Sequence, residues 1–216
     1  VLNNLDDMTL DEQLAVRSAR DRLVREFGSS LDEDVIDAYL LASWEHMDTV
    51  ARVKVHIPLL AERFARAQLW ALARMRSDRP GVPAAVFVDT NDSGRARMAK
   101  ALFLRRCGAH GLSFSAGTDP NEALDEVVNE VMHEIGITTT EAFPKPWTPQ
   151  ILQAADRVVT FADGAPVPVP DPSRHRVWDV PDPRGKDLEQ VRVIRDSLVA
   201  LVDGLVDELG IPPANA

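Results

Sequence analysis

The sequence predicts an α/β protein in which a four-stranded parallel sheet with helices on both faces follows an all-α bundle of three helices. After Pro83, short apolar runs rich in Val and Phe alternate with amphipathic helical stretches, the pattern of parallel strands joined by right-handed crossovers. Before Ser77 three stretches carry helical apolar spacing. Between the two regions Ser77-Asp-Arg-Pro-Gly-Val-Pro83 concentrates chain breakers. The expected division is a bundle over residues 1–78, a linker over 79–83 and an α/β domain over 84–216.

In the bundle, Thr9-Leu-Asp-Glu12 has the pattern of a capping box, and Leu10, Leu14, Leu23 and Phe27 supply apolar positions up to a stop at Gly28. Ser30-Leu-Asp-Glu33 repeats the start signal, and Val35, Ile36, Tyr39, Leu40 and Trp44 form the apolar face of a second helix. Pro58 suits the first turn of a third, continued by Leu59, Leu60, Phe64, Leu69 and Leu72 to about Arg76. In the second region strands are expected at Val86–Val88, Leu112–Ser115, Arg157–Phe161 and Arg176–Trp178. Helices are expected at Arg95–Cys107, Asn121–Ile135 and Leu188–Leu209.

Composition narrows the function classes. The 216 residues are 45% hydrophobic, enough for one good core. The net charge of −10 disfavours binding to nucleic acid or to an anionic membrane. No run approaches the ~18 apolar residues of a membrane span and no signal segment is recognisable, so a cytoplasmic protein is expected. Cys107 is the single cysteine, which excludes an internal disulfide and any two-cysteine relay within the chain. The five histidines lack ligand spacing, and no metal or cofactor is expected.

Residues 84–98, Ala-Ala-Val-Phe-Val-Asp-Thr-Asn-Asp-Ser-Gly-Arg-Ala-Arg-Met, organise the chain. An apolar strand enters a polar, Gly-containing turn that opens a helix near Arg95, at the strand ends where ligand chemistry collects on such sheets. The spacing from Asp89 to Arg95 resembles the Cys-x5-Arg-Ser loop of low-molecular-weight protein tyrosine phosphatases and of the arsenate reductases built on the same flavodoxin-like fold. Ser115-Ala-Gly-Thr118 is similar to the end of that family's second strand, Val131-Met-His-Glu-Ile-Gly-Ile137 to its second helix and Ala155-Asp-Arg-Val-Val-Thr160 to the entry to its third strand. Trp178-Asp-Val-Pro-Asp-Pro183 resembles its Asp-Pro loop, and the likeness covers nearly all of 84–209. Ala51-Arg-Val-Lys-Val-His-Ile-Pro-Leu-Leu-Ala-Glu-Arg-Phe-Ala-Arg66 resembles the amino-terminal three-helix extension of some actinobacterial arsenate reductases, which is associated with dimerisation.

The resemblance implies an oxyanion loop of Thr90, Asn91, Asp92, Ser93, Gly94 and Arg95, with Arg95 gripping the anion and Asp182 in the general-acid position. It also implies a homodimer through the bundle, or a heterodimer with an active relative; a monomeric bundle docked on its own second domain is the alternative. Asp89 stands at the family's nucleophilic Cys and Ala96 at its Ser. The family mechanism needs an ionised thiolate, and arsenate reduction needs sulfur to carry electrons away. The segment Phe161-Ala-Asp-Gly-Ala-Pro-Val-Pro-Val-Pro170, where three-cysteine reductases keep further thiols, contains none. Cys107, about 18 Å along the helix from the loop, reads as a buried structural thiol.

Two carboxylates in the loop, Asp89 and Asp92, oppose a bound anion. A like-charge contact at about 4 Å costs about 1 kcal/mol in water and about 4 kcal/mol at an effective dielectric of 20. The expectation is weak or absent phosphate and arsenate binding, with Arg95 engaged by a carboxylate as an internal ligand mimic. Asp92 also suits a left-handed turn position, and Asp182-Pro183 a plain turn. The expected function is therefore an inactive arsenate reductase or phosphatase homologue with a binding or regulatory role as a dimer. One alternative is an active phosphatase using Asp89 as covalent nucleophile, since Asp89-Thr-Asn91 faintly resembles the start of haloacid-dehalogenase phosphatases. Another is a purely structural dimer module.

Overall fold

The computed structural model describes residues 8–50, 56–77, 81–120, 126–139, 144–212 and 214. The chain forms two compact units, Val1–Pro80 and Gly81–Ala216.

The first unit consists of α1 (Leu10–Phe27), α2 (Glu33–Val50) and α3 (Ile57–Arg76). Thr9 and Glu12 cap α1 reciprocally: Thr9 Oγ1 accepts from Glu12 N at 3.3 Å, and Glu12 Oε2 accepts from Thr9 N at 2.8 Å. α2 starts later than Ser30 suggests, because the carbonyl of Asp32 is the one that accepts from Ile36 N. Pro58 lies in the first turn of α3, where its missing N–H leaves no bond unmade. Leu23, Phe27, Ile36, Leu40, Trp44, Phe64 and Leu69 form the apolar interior. Leu10, Leu14 and Leu59 were expected on the apolar faces, yet they are 71%, 56% and 47% exposed. In α1 the inward stripe runs through Val16, Ala19, Leu23 and Phe27, and Leu10 and Leu14 fall off it.

Glu62 is buried within this unit and accepts from Arg22 Nη2 at 2.6 Å and Arg66 Nη2 at 2.7 Å. Burial alone would raise its pKa, and the two guanidiniums hold it below the usual carboxylate value. Residues 51–55 of the Ala51–Arg66 stretch, and residues 78–80 of the boundary segment, lie outside the described residues.

In the second unit β1 (Ala84–Asp89), β2 (Leu112–Gly117), β3 (Arg157–Phe161) and β4 (His175–Trp178) form one sheet in the order β2-β1-β3-β4, all parallel. β1 is central and every residue of it is buried, which is why it reads as an unbroken apolar run rather than an alternation. The helices are α4 (Arg95–Cys107), α5 (Glu126–Glu134), α6 (Pro149–Ala154) and α7 (Leu188–Glu208). Ala85 and Phe87 pack with α4, α5 and α7, including Phe103, Val131, Leu198 and Val202. Val86 and Val88 point to the opposite face, and α6 packs on β1 through buried Ile151 and Leu152.

Of the helix expected from Asn121, residues 121–125 lie outside the described residues, and the rest ends just before Gly136 at φ 75°. α6 was not expected, although its signals are local: Thr148 Oγ1 accepts from Ile151 N at 3.3 Å, and Pro149 occupies the first turn. The strands run slightly past their expected ends, β1 to Asp89 and β2 to Gly117. Beyond β2, residues 145–147 run alongside as a short extra pairing, with Gly117 N donating to Lys145 O at 2.8 Å and Trp147 N to Gly117 O at 3.3 Å.

Candidate functional site

The turn between β1 and α4 lies at the carboxyl end of the central strand, level with the ends of β2 and β3. Thr118 N donates to Asp89 O at 3.0 Å and Asp119 N to Thr90 O at 2.7 Å, which ties the turn to the end of β2. Close approach there requires glycine: a Cβ on Gly117 would lie 2.8 Å from Thr90 O. On the other side a Cβ on Gly94 would lie 2.8 Å from Pro183 Cγ, so the Asp182-Pro183 segment rests directly on the turn. Asp92 adopts φ 50°, the left-handed conformation expected of a short polar side chain at this position. Asn91 is buried, while Thr90 and Ser93 are half-buried.

Asp89 is 6% exposed and both its oxygens are taken by backbone amides of its own loop. Oδ1 accepts from Asp92 N at 2.6 Å and Oδ2 from Ala96 N at 3.1 Å. These donors sit in the turn and the first turn of α4, where the helix dipole favours negative charge. Burial pushes its carboxyl up to about 6, with the Ala96 amide pulling down, the Asp92 charge pushing up, and the Asp92 amide and Arg95 pulling down.

Asp92 is fully buried and has its own counter-ions. Its Oδ2 accepts from Lys145 N and Lys145 Nζ, both at 3.1 Å, and Lys145 Nζ also donates to Ser115 Oγ at 3.3 Å. Arg97 Nε lies 3.7 Å from Asp92 Oδ1, beyond hydrogen-bond range. Arg97 is 2% exposed, and its Nε, Nη1 and Nη2 have no hydrogen-bond partner among the described residues. Burial lowers the pKa of Arg97, opposed by the Asp92 and Asp89 charges. Burial lowers that of Lys145 as well, and Asp92 opposes it.

Arg95 is also 2% exposed but is well held. Its Nη1 donates to Asp163 Oδ1 at 2.7 Å and to Val180 O at 2.6 Å, Nη2 lies 3.9 Å from Asp182 Oδ2, and the guanidinium sits 4.5 Å above the Phe161 ring. Its Nε has no hydrogen-bond partner among the described residues.

Two family models match the chain. Residues 84–211 match the low molecular weight phosphotyrosine protein phosphatase model. This chain belongs to that family. Residues 16–73 match the protein-tyrosine-phosphatase-like N-terminal domain. A putative arsenate reductase of Halobacterium salinarum is 33% identical over 133 residues, 56% of this chain and 89% of that protein. Among solved structures, the thioredoxin-dependent arsenate reductase Cg_ArsC1' of Corynebacterium glutamicum superposes with a TM-score of 0.74 at 25% identity, over 92% of this chain and 98% of that one. YwlE from Bacillus subtilis, in a mutant form, shares the fold with a TM-score of 0.53 at 22% identity, over 59% of this chain and 99% of that one.

Asp89, Arg95 and the turn residues 90–94, expected from the family loop, come together in space, and Asp182 closes over them. Asp182 Oδ1 also accepts from Arg184 N at 2.9 Å, the bond of a plain Asp-Pro turn. The carboxylate that engages Arg95 is Asp163, in the cysteine-free segment after β3. The expectation of uncompensated like charge in the loop needs correction, because Lys145 and Arg97 flank Asp92. Neither residue was anticipated. Their signal was indirect: two adjacent carboxylates in a buried loop require cations, and Arg97 is the third residue of a helix whose first turn is otherwise apolar except for Arg95. Cys107 is fully buried, and burial pushes its thiol up to about 11.

Proposed function

We propose that this member of the low-molecular-weight phosphatase and arsenate reductase family is catalytically silent and serves a binding or regulatory role as a dimer. One observation carries the reading: at the nucleophile position stands a carboxylate whose two oxygens already accept from loop amides Asp92 N and Ala96 N. An oxygen held this way has its lone pairs directed at N–H groups and its amides are spent on it, so it is a poor nucleophile and the loop is a poor host for a second anion. Sulfur offers no substitute. Cys107 ends α4, twelve residues beyond Arg95 and about 18 Å from the loop, and its buried thiol resists ionisation.

The dimer proposal rests on the first unit. Leu10 and Leu14 stand one turn apart on α1, both more than half exposed, and a partner would cover them. The test of silence is a phosphatase assay and a thiol-dependent arsenate reductase assay on wild type, Asp89→Asn and Asp89→Cys. Wild type and Asp89→Asn are expected to show no turnover. Turnover by wild type that Asp89→Asn abolishes would make Asp89 a nucleophile and end the proposal.

A further inference from the structure

The helices α4 and α7 face one another across a gap. Leu102, Arg105 and Arg106 line it from α4, and Val199, Val202 and Asp203 from α7, each set spaced i, i+3, i+4 along one helix face. Together with Ile135, just after α5, and Ala214 they enclose a cleft of about 490 Å³. Gly210, at φ 64°, turns the chain back after α7, and Ala214 N then donates to Arg106 O at 3.2 Å. Arg105 lies ten residues beyond Arg95, about 15 Å along the helix, so the cleft is well removed from the β1–α4 loop.

The walls are mostly apolar. Leu102 and Val202 are buried, and Ile135 and Val199 half-buried. Of the three charged side chains, Arg106 and Asp203 match each other: Arg106 Nε donates to Asp203 Oδ1 at 3.2 Å, and Asp207 Oδ1 stands 3.8 Å from Arg106 Nη2. Arg105 has no such match. Its Nη1 donates to the carbonyl of Ile135, which carries no net charge, and it forms no ion pair among the described residues. The neighbouring carboxylate, Glu134, is held by Arg192 and Arg195. Arg106 Nη1 is buried and has no hydrogen-bond partner among the described residues. The cleft thus joins apolar surface to a guanidinium without a counter-ion and a donor without an acceptor.

We propose that this cleft binds an amphipathic monocarboxylate such as a medium-chain fatty acid, its alkyl chain against Leu102, Val199 and Val202 and its carboxylate on Arg105. Charge complementarity selects that class. A neutral hydrocarbon leaves Arg105 unmatched, and a small inorganic anion leaves the apolar walls in water. A guanidinium takes a carboxylate through parallel N–H donors, and small-ligand sites commonly measure about 300–1,000 Å³ with mostly apolar linings and few polar groups. The site does not depend on whether the β1–α4 loop turns over a substrate.

Decanoate below its micelle concentration is the probe, with decanol as the uncharged control of equal chain length. In amide NMR titration of the full chain, decanoate is expected to shift the signals of Leu102, Arg105, Ile135, Val199 and Val202. Decanol is expected to bind about 10-fold more weakly, the loss of one charge-assisted contact. Arg105 is exposed, so Arg105→Gln should keep the fold, and it is expected to weaken decanoate about 10-fold and leave decanol unchanged. Val199→Trp, checked for native circular dichroism, fills the cleft and is expected to weaken both at least 10-fold. Equal affinity for decanoate and decanol, decanoate binding that Arg105→Gln leaves intact, shifts that map elsewhere, or no shift with millimolar decanoate would each overturn the proposal. Shifts of the same amides on raising protein concentration alone would make the cleft a contact between copies of this chain and overturn it equally.

Discussion

The two flanks of the β1–α4 loop carry the same kind of group in opposite circumstances. On the β3 side Arg95 is bonded to Asp163 and Val180 O and lies over Phe161; on the β2 side Arg97 is equally buried and its guanidinium makes no hydrogen bond to the described residues. Asp163 is 57% exposed, so the β3 side draws on water as well as on protein partners. Asp92 and Lys145 are sealed, so the β2 side must balance its charges internally. The difference teaches that the β3 flank is ordinary ion pairing around a surface loop, whereas the β2 flank is a closed electrostatic system whose parts cannot be removed singly.

The largest break in that comparison should come from Lys145→Met. It leaves wholly buried Asp92 with Arg97 at 3.7 Å as its nearest cation, and a loss of about 3–5 kcal/mol in urea unfolding is expected. A loss below about 1 kcal/mol would show that the cluster is not sealed. Next comes the pH dependence of Asp89→Asn against wild type. The folded carboxyl, at about 6, lies above the ordinary value of 3.8, so its contribution is fully present below about pH 4 and is lost as pH rises through 6. Between pH 4 and pH 7 the stability difference should therefore move toward the variant by about 2–3 kcal/mol, read from unfolding midpoints across the range. A flat difference would mean that Asp89 does not titrate there.

On the β3 flank Arg95→Met removes two bonds, one of them to a buried carbonyl, and about 1–2 kcal/mol is expected. Asp163→Asn should cost under about 1 kcal/mol, since its partner keeps Val180 O and water reaches the site. If Asp163→Asn cost as much as Lys145→Met, the two flanks would be equivalent and the comparison wrong.

How far the sequence speaks follows the same division. Elements that bury a continuous or periodic apolar face are legible: β1 from Val86 to Val88, α1 from the Thr9 capping box, α3 from Pro58 onward. α6 is six residues long, too short for helical periodicity to register, and only its Thr148 cap and Pro149 announced it. The loop was legible as a unit because its residues are contiguous. Its partners were not, because Lys145 lies 53 residues beyond Asp92 and Asp163 lies 68 beyond Arg95. Arg97 reads as a surface residue on any hydropathy pattern, and only the topology brings it against a buried carboxylate.

The central claim is that the Asp89 carboxylate has become the loop's own anion. NMR titration of the full chain tests it most directly, following the Asp89 carboxyl carbon together with the amide protons of Asp92 and Ala96. The account predicts that all three titrate with one midpoint near pH 6, the two amides losing their downfield shift as the carboxyl is protonated. Amides that do not respond, or an Asp89 carboxyl that titrates near 3.8 like an exposed one, would contradict it.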